Sequence, residues 1–257
     1  MIGIRVIPCL LLKGSGLVKT IRFQDSTYLG DPRNVVRIFN EREVDELIIF
    51  DITATRDQRP PKFDLIKEIV GEAFMPVGYG GGIRDIMDAR RLFSLGVEKI
   101  VINSYAAENP DFIEELASQF GSQSIIVCLD VKKDKRGNYQ IWTHGGSKLT
   151  SLSPIDYALN IMKMGAGELI VNSIDQDGTM SGYDIDIIRM ITKSVNIPVV
   201  ACGGAGRLED FRKVVQEGGA AAVAAGSIFV FHGKRRAVLI NYPTQQELKM
   251  IFQKTEG

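Results

Sequence analysis

Glu46-Leu47-Ile48 and Gly81-Gly82 return 122 residues later as Glu168-Leu169-Ile170 and Gly203-Gly204. Asp88 and Asp210 keep that spacing, as do Gly96 and Gly218. At the opening of each half the offset is 119, where Cys9-Leu10-Leu11-Leu12-Lys13 lies over Cys128-Leu129-Asp130-Val131-Lys132. Three additional residues therefore fall between Lys133 and Glu168, most simply in the polar turn Lys133-Asp134-Lys135-Arg136-Gly137-Asn138. Self-similarity at a fixed offset means that one supersecondary unit is used twice.

Working outward, eight short β-branched runs alternate with helical patterns. They are residues 5–12, 46–52, 75–79, 99–103, 124–130, 168–173, 198–202 and 221–225. Eight parallel strands close a barrel, and nearly continuous apolar strands belong to a sheet covered by helices. Asp31-Pro32, Asn109-Pro110 and Ser153-Pro154 each offer a cap followed by a first-turn proline. Gly96, Gly165 and Gly218 or Gly219 then end helices before the next strand. The fold class is α/β, a (β/α)8 TIM barrel built from two similar half-barrels at about residues 1–120 and 121–257. The chain of 257 residues is expected to be a single domain, because two flavodoxin-like domains would need a linker near residue 120.

Composition narrows the chemistry. Apolar residues make up 45% and charged residues 24%, which suits a substantial core and excludes a disordered chain. Lys plus Arg and Asp plus Glu both number 31, so no polyanion-binding surface, and no nucleic acid partner, is expected. No run approaches about 18 consecutive apolar residues, and the start lacks a signal-peptide pattern, so no membrane segment and a cytoplasmic location are expected. Cys9, Cys128 and Cys202 lie in or at the ends of apolar runs and read as buried thiols. With only two histidines, His144 and His232, no metal site and no cofactor are expected. Carboxylates, lysines and backbone amides must carry the chemistry.

Glycine clusters stand after the third and seventh strands, Gly80-Gly81-Gly82 and Gly203-Gly204-Ala205-Gly206. Asn103-Ser104 and Ala225-Gly226-Ser227 follow the fourth and eighth. Such loops turn N–H groups inward with no Cβ in the way and suit phosphate. Two symmetry-related cradles imply a long ligand with phosphate at each end, or descent from an enzyme that used one. Asp130 interrupts an apolar run at the end of the fifth strand, where barrels place reacting groups. Asp51, Asp175 and Asp177 stand at other strand ends, with loop capping as the competing role for Asp51 and Asp175. Lys19 sits in a long segment, residues 13–30, that reads as a mobile lid bringing a cation over the ligand. At the opposite end, Arg5, Glu46, Lys99 and Glu168 begin strands and would form a ring of alternating charge.

Arg5-Val6-Ile7-Pro8-Cys9-Leu10, Phe50-Asp51-Ile52-Thr53-Ala54, Gly80-Gly81-Gly82-Ile83, Phe120-Gly121-Ser122-Gln123, residues 173–184 and Gly203-Gly204-Ala205-Gly206 resemble the cyclase subunit of imidazole glycerol phosphate synthase, the HisF family. The similarity runs from Arg5 to about Phe231. It implies a barrel that docks a glutaminase on its bottom face, forming a heterodimer. Ammonia then passes a charged gate at Arg5, Glu46, Lys99 and Glu168 and reaches a bisphosphate substrate at the top. The resemblance assigns phosphate binding to Gly82, Asn103, Gly178, Gly203 and Gly204, with Lys19 above them, and a catalytic role to Asp130.

One departure outweighs the matches. The family uses a second catalytic aspartate at the end of the first strand, and that position is Leu11. General acid–base help is worth roughly 10²–10⁴-fold, so the cyclase reaction comes into question. Asn172, Cys202 and Ser104 are smaller departures. Pro8-Cys9-Leu10-Leu11-Leu12-Lys13 together with Phe229-Val230-Phe231-His232-Gly233 is similar instead to a HisF-like branch associated with surface-glycan and lipopolysaccharide genes. There a HisH-like glutaminase and a HisF-like barrel supply ammonia to a separate sugar amidotransferase, which converts an acetamido to an acetamidino group. That is the first reading. The alternatives are a working cyclase using Asp130 with Asp51 or Asp177, and a non-catalytic barrel that activates a glutaminase. The basic run Lys234-Arg235-Arg236 reads as solvated surface, and residues 244–254 as the last helix.

Overall fold

A computed structural model describes residues 3–233 and 235–253. The barrel strands are β1 (Arg5–Lys13), β2 (Leu47–Asp51), β3 (Val77–Gly80), β4 (Lys99–Ile102), β5 (Ile125–Lys133), β6 (Glu168–Ser173), β7 (Val199–Cys202) and β8 (Ala222–Ala225). Each pairs in parallel with the next, and β8 pairs with β1, so the sheet closes on itself. Helices lie between successive strands, as the (β/α)8 reading required.

Strand alternation divides the apolar residues into two cores. Val6, Leu10 and Leu12 of β1 face outward and pack under the helices with Leu47, Ile49 and Leu129. Ile7, Ile48, Val101, Ile126, Ile170 and Val200 face inward and fill the middle of the barrel beside Ala222 and Ala224. Burying a Leu, Ile or Val side chain fully is worth roughly 1.5–3 kcal/mol, so both layers hold the cylinder in register. The polar groups are left to the two ends.

The caps follow the sequence in part. Asp31 accepts a hydrogen bond from the Arg33 amide at 2.9 Å with Pro32 in the first turn, and Ser153 caps the helix Pro154–Lys163. At the third site the helix Asp111–Phe120 begins one residue later, after Pro110, and no side chain caps it. The left-handed residue that ends the helix Leu208–Gly218 is Gly219, with φ +74°. The last helix is Gln245–Gln253; Lys254, predicted as its end, lies outside the described residues.

Residues 13–30, expected as a mobile lid, form an antiparallel hairpin on β1. Gly16–Ile21 folds back antiparallel to β1, and Gln24–Gly30 folds back on that strand. β5 carries the corresponding excursion: a turn at Asp134–Asn138, then Tyr139–Thr143 antiparallel to β5. The inserted polar turn is thus the tip of a second hairpin, and each half-barrel raises one beside the mouth.

Candidate functional site

The upper ends of the strands enclose a cavity of about 410 Å³ lined by Leu11, Phe50, Asp130, Asn172, Lys19 and Asp177, among others. Strand register fixes its chemistry. Leu11 lies beside Phe50, and at the matching positions of the second half Asp130 lies beside Asn172. Leu11 and Phe50 are both half-buried on the cavity wall, so the first half contributes hydrocarbon where the second contributes an acid and an amide.

Asp130 is buried and held from two sides. Asn172 Nδ2 donates to its Oδ1 at 3.0 Å, and Asn103 Nδ2 donates to its Oδ2 at 3.1 Å. Burial pushes the carboxyl up to about 7; the two amides pull it down and the nearby Asp177 charge adds to the rise. A carboxylate poised there can hold or release a proton near neutrality. The cysteines Cys9, Cys128 and Cys202 also line the cavity. Burial raises Cys128, and the Cys202 contact and burial raise Cys9, so both remain neutral thiols. Among the described residues no group of three or more His, Cys, Asp or Glu is arranged to hold a metal ion.

The other candidate acids are engaged elsewhere. Asp51 pairs with Arg59 at 2.7 Å and accepts from the Thr53 and Ala54 amides, which makes it the anchor of its loop. Asp175 accepts from the Lys133 amide at 2.9 Å. Asp177 pairs with the buried Lys19 at 2.7 Å and accepts from Thr20 Oγ1 at 3.0 Å. Lys19 is therefore committed to an internal ion pair that also ties the first hairpin to the β6 loop.

Two glycine-lined cradles flank the cavity. In the first, Gly82 has φ +75°, and a Cβ there would stand 2.6 Å from the Arg59 carbonyl oxygen, so only glycine fits. Beside it Ser104 Oγ donates to Asn103 Oδ1 at 3.0 Å and accepts from the His144 amide at 2.9 Å. The second hairpin thus rests on the first cradle. The second cradle comprises Gly178, Gly203, Gly204, Gly226 and Ser227. A Cβ at Gly178 would lie 2.2 Å from the Thr20 carbonyl oxygen, so this glycine lets the first hairpin close down.

Arg236 is the residue that sequence reasoning missed. Assigned to a solvated basic run, it is half-buried, and its Nη2 donates to the Gly178 carbonyl at 2.7 Å. Arg235 is exposed as expected, and Lys234 lies outside the described residues. The clue available beforehand was Phe231, whose ring lies under the guanidinium at 4.8 Å.

At the barrel floor Arg5 contacts both Glu46 and Glu168, and Lys99 reaches the same carboxylates at 3.0 and 3.3 Å. The four alternate in sign around the axis. Burial lowers the Arg5 value, but Glu168 and Glu46 outweigh it and leave a net rise. Both glutamates are buried while the cations are partly exposed.

The apolar walls, the charged floor and the strand ends together define a (β/α)8 barrel with its polar groups at the end where barrel enzymes place theirs. A family model described as histidine biosynthesis protein matches residues 5–235. A Pseudomonas aeruginosa protein provisionally named imidazole glycerol phosphate synthase subunit hisF2 is 47% identical over 248 residues, covering 96% of this chain and 99% of the relative. A Leptospira borgpetersenii protein, provisionally named subunit HisF, is 47% identical over 253 residues, or 98% of this chain and all of the relative. The imidazole glycerol phosphate synthase subunit HisF of Alkaliphilus metalliredigens is 41% identical over 232 residues, covering 90% and 92%. The chain belongs to the histidine biosynthesis protein family, among its HisF-like members.

Proposed function

We propose that this chain is the ammonia-receiving subunit of a glutamine amidotransferase, and that it works as one barrel domain in the cytoplasm beside a glutaminase that docks on the floor. Ammonia released by the partner enters past Arg5, Glu46, Lys99 and Glu168, crosses the apolar interior and arrives at Asp130. The ionised form of Asp130 accepts the proton released as nitrogen attacks an electrophilic carbon. The two cradles hold a phosphorylated acceptor: Gly82, Asn103 and Ser104 on one side, Gly178, Gly203, Gly204, Gly226 and Ser227 on the other, with the Lys19–Asp177 pair bracing the second.

Within that frame the chemistry served is amidination, the conversion of a sugar acetamido to an acetamidino group by a separate sugar amidotransferase in glycan synthesis, where ammonia nitrogen replaces the amide oxygen, which leaves as phosphate after activation by a nucleoside triphosphate. One observation carries the preference over imidazole ring closure: Leu11 and Phe50 stand on the cavity wall at the positions that match Asp130 and Asn172 in the other half, so hydrocarbon occupies the place of the missing aspartate. A hydrocarbon wall leaves one proton-transfer group, enough to deliver nitrogen and too few for a coupled cyclisation and cleavage. The cyclase reading keeps one observation in its favour, the two glycine cradles on opposite sides of a single cavity, which suit a bisphosphate.

Reconstitution with the glutaminase tests the proposal. Glutamine-dependent formation of the amidinated sugar is expected when the native pair is combined with the separate sugar amidotransferase. Asp130→Asn is expected to abolish it, and undiminished product with that variant would leave the barrel a non-catalytic activator of its partner.

A further inference from the structure

Behind the second cradle, against Gly178 and Ser227, lies a segment remote from the rest of it. After β8 and the short helix Ser227–Val230, the chain forms a hairpin in which Phe231–His232 pairs antiparallel with Ala237–Val238. Arg236 closes its turn in a left-handed conformation, φ +53°, with its amide bonded to the Gly233 carbonyl at 3.0 Å. This geometry directs the side chain back over the Phe231 ring toward the mouth. Nη2 bonds the Gly178 carbonyl and stands 3.4 Å from Ser227 Oγ, while Nε is buried without a hydrogen-bond partner. Gly178 and Ser227 both line the mouth cavity.

Charge distinguishes Arg236 from the other cation at this cradle. Lys19 reaches toward Gly226, but its charge is cancelled by Asp177 at 2.7 Å. No carboxylate pairs with Arg236 among the described residues. A guanidinium presents five N–H donors in a planar fork. Here one nitrogen is engaged and another is buried without an acceptor, which leaves the group under-satisfied beside a glycine-lined hollow.

We propose that Arg236 is a ligand-binding residue of the second cradle, where its guanidinium supplies the uncompensated positive charge and donates to a phosphate oxygen of the bound ligand. The inference rests on reading the cradle as a phosphate site. The anion takes its place beside Ser227 Oγ, with the guanidinium behind that hydroxyl at 3.4 Å, and Phe231 holds the guanidinium plane so that little side-chain entropy is lost on binding. A clasp that only tied the hairpin to the β6 loop would need a single donor to the Gly178 carbonyl, which a lysine also provides. Recognition of a phosphate by a planar fork is something lysine does not reproduce. Arg236→Lys therefore separates the two roles.

The experiment is a titration of inorganic phosphate into the purified chain, followed by calorimetry and ³¹P line broadening, for native protein, Arg236→Lys and Arg236→Ala. Thermal midpoints are measured alongside. The native chain is expected to bind phosphate at both cradles. Arg236→Ala is expected to weaken one of the two sites at least tenfold and Arg236→Lys severalfold, with the lysine variant keeping a native-like midpoint. Native affinity at both sites in Arg236→Lys, whether or not the alanine variant folds, overturns the role of Arg236 and leaves the cradles intact. Absence of phosphate binding by the native chain overturns the phosphate reading of the cradles and this inference with it.

Discussion

The two halves of this barrel share a backbone plan and differ at the mouth, where the proposed chemistry would take place. Both begin at the floor with a buried glutamate, Glu46 or Glu168, both carry a paired glycine after their third strand, and both raise a hairpin from their first. At the mouth they part. The first half places Leu11 beside Phe50, and the second places Asp130 beside Asn172, with Asn103 of β4's end reaching across to the same carboxylate. A repeat preserves what folding needs, namely strand alternation, loop glycines and floor charges. The groups at the open end bear no such constraint and are free to diverge.

That contrast is broken most severely by Asp130→Asn. If the acid half alone moves protons, product formation falls by roughly 10²–10⁴-fold in the reconstituted assay while the fold persists, because asparagine keeps the shape and can still bond its neighbours. A loss of less than about tenfold would mean that the halves do not differ in function.

The floor, where the halves cooperate, is the next test. Arg5→Met removes the cation that touches both glutamates and leaves two buried carboxylates to share Lys99. Because Arg5 is partly exposed, the expected cost is about 1–3 kcal/mol in denaturant unfolding. Glutamine-dependent turnover should fall further than turnover supplied with free ammonium, and equal losses would count against a gate.

Gly178→Ala tests the seating of the first hairpin. Its methyl group meets the Thr20 carbonyl in a left-handed backbone position, so a stability loss of about 1–3 kcal/mol is expected, together with weaker phosphate binding.

The smallest effect concerns pH. Asp130 rises from an ordinary 3.8 to about 7 in the folded chain, so between those values the folded state binds the extra proton. Stability from this group is then full below about pH 4 and lost as pH rises through 7, the reverse of a salt-bridged carboxylate. Denaturant midpoints for native protein and Asp130→Asn should diverge across that window, with the variant relatively more stable on the alkaline side. Parallel curves would place Asp130 in an ordinary solvated setting.

Much of this was legible in the sequence, for reasons that differ by region. The eight β-branched runs located all eight strands, and the offsets of 122 and 119 related the two halves, because buried parallel strands and their loop glycines leave little freedom. The hairpins were not legible: Gln24–Gly30 is largely exposed and polar, so its pattern carries no mark of a buried face. The embrace of Asp130 by Asn103 and Asn172 joins three strands, and only barrel closure brings them together. Asp51 could have been a loop anchor or an acid on sequence grounds, and Arg59, eight residues on, made it an anchor. Arg236 looked like solvated charge because its neighbours are basic, and only the hairpin turn aims it inward.

The most direct test of the central claim is the ammonium-supported turnover of the family's bisphosphate substrate, the histidine precursor, by the native chain and by Leu11→Asp. With hydrocarbon at the position that matches Asp130, the native chain should remain at background, and the variant, with carboxylates at both matching positions, should begin to close the imidazole ring. Vigorous turnover by the native chain would contradict the account.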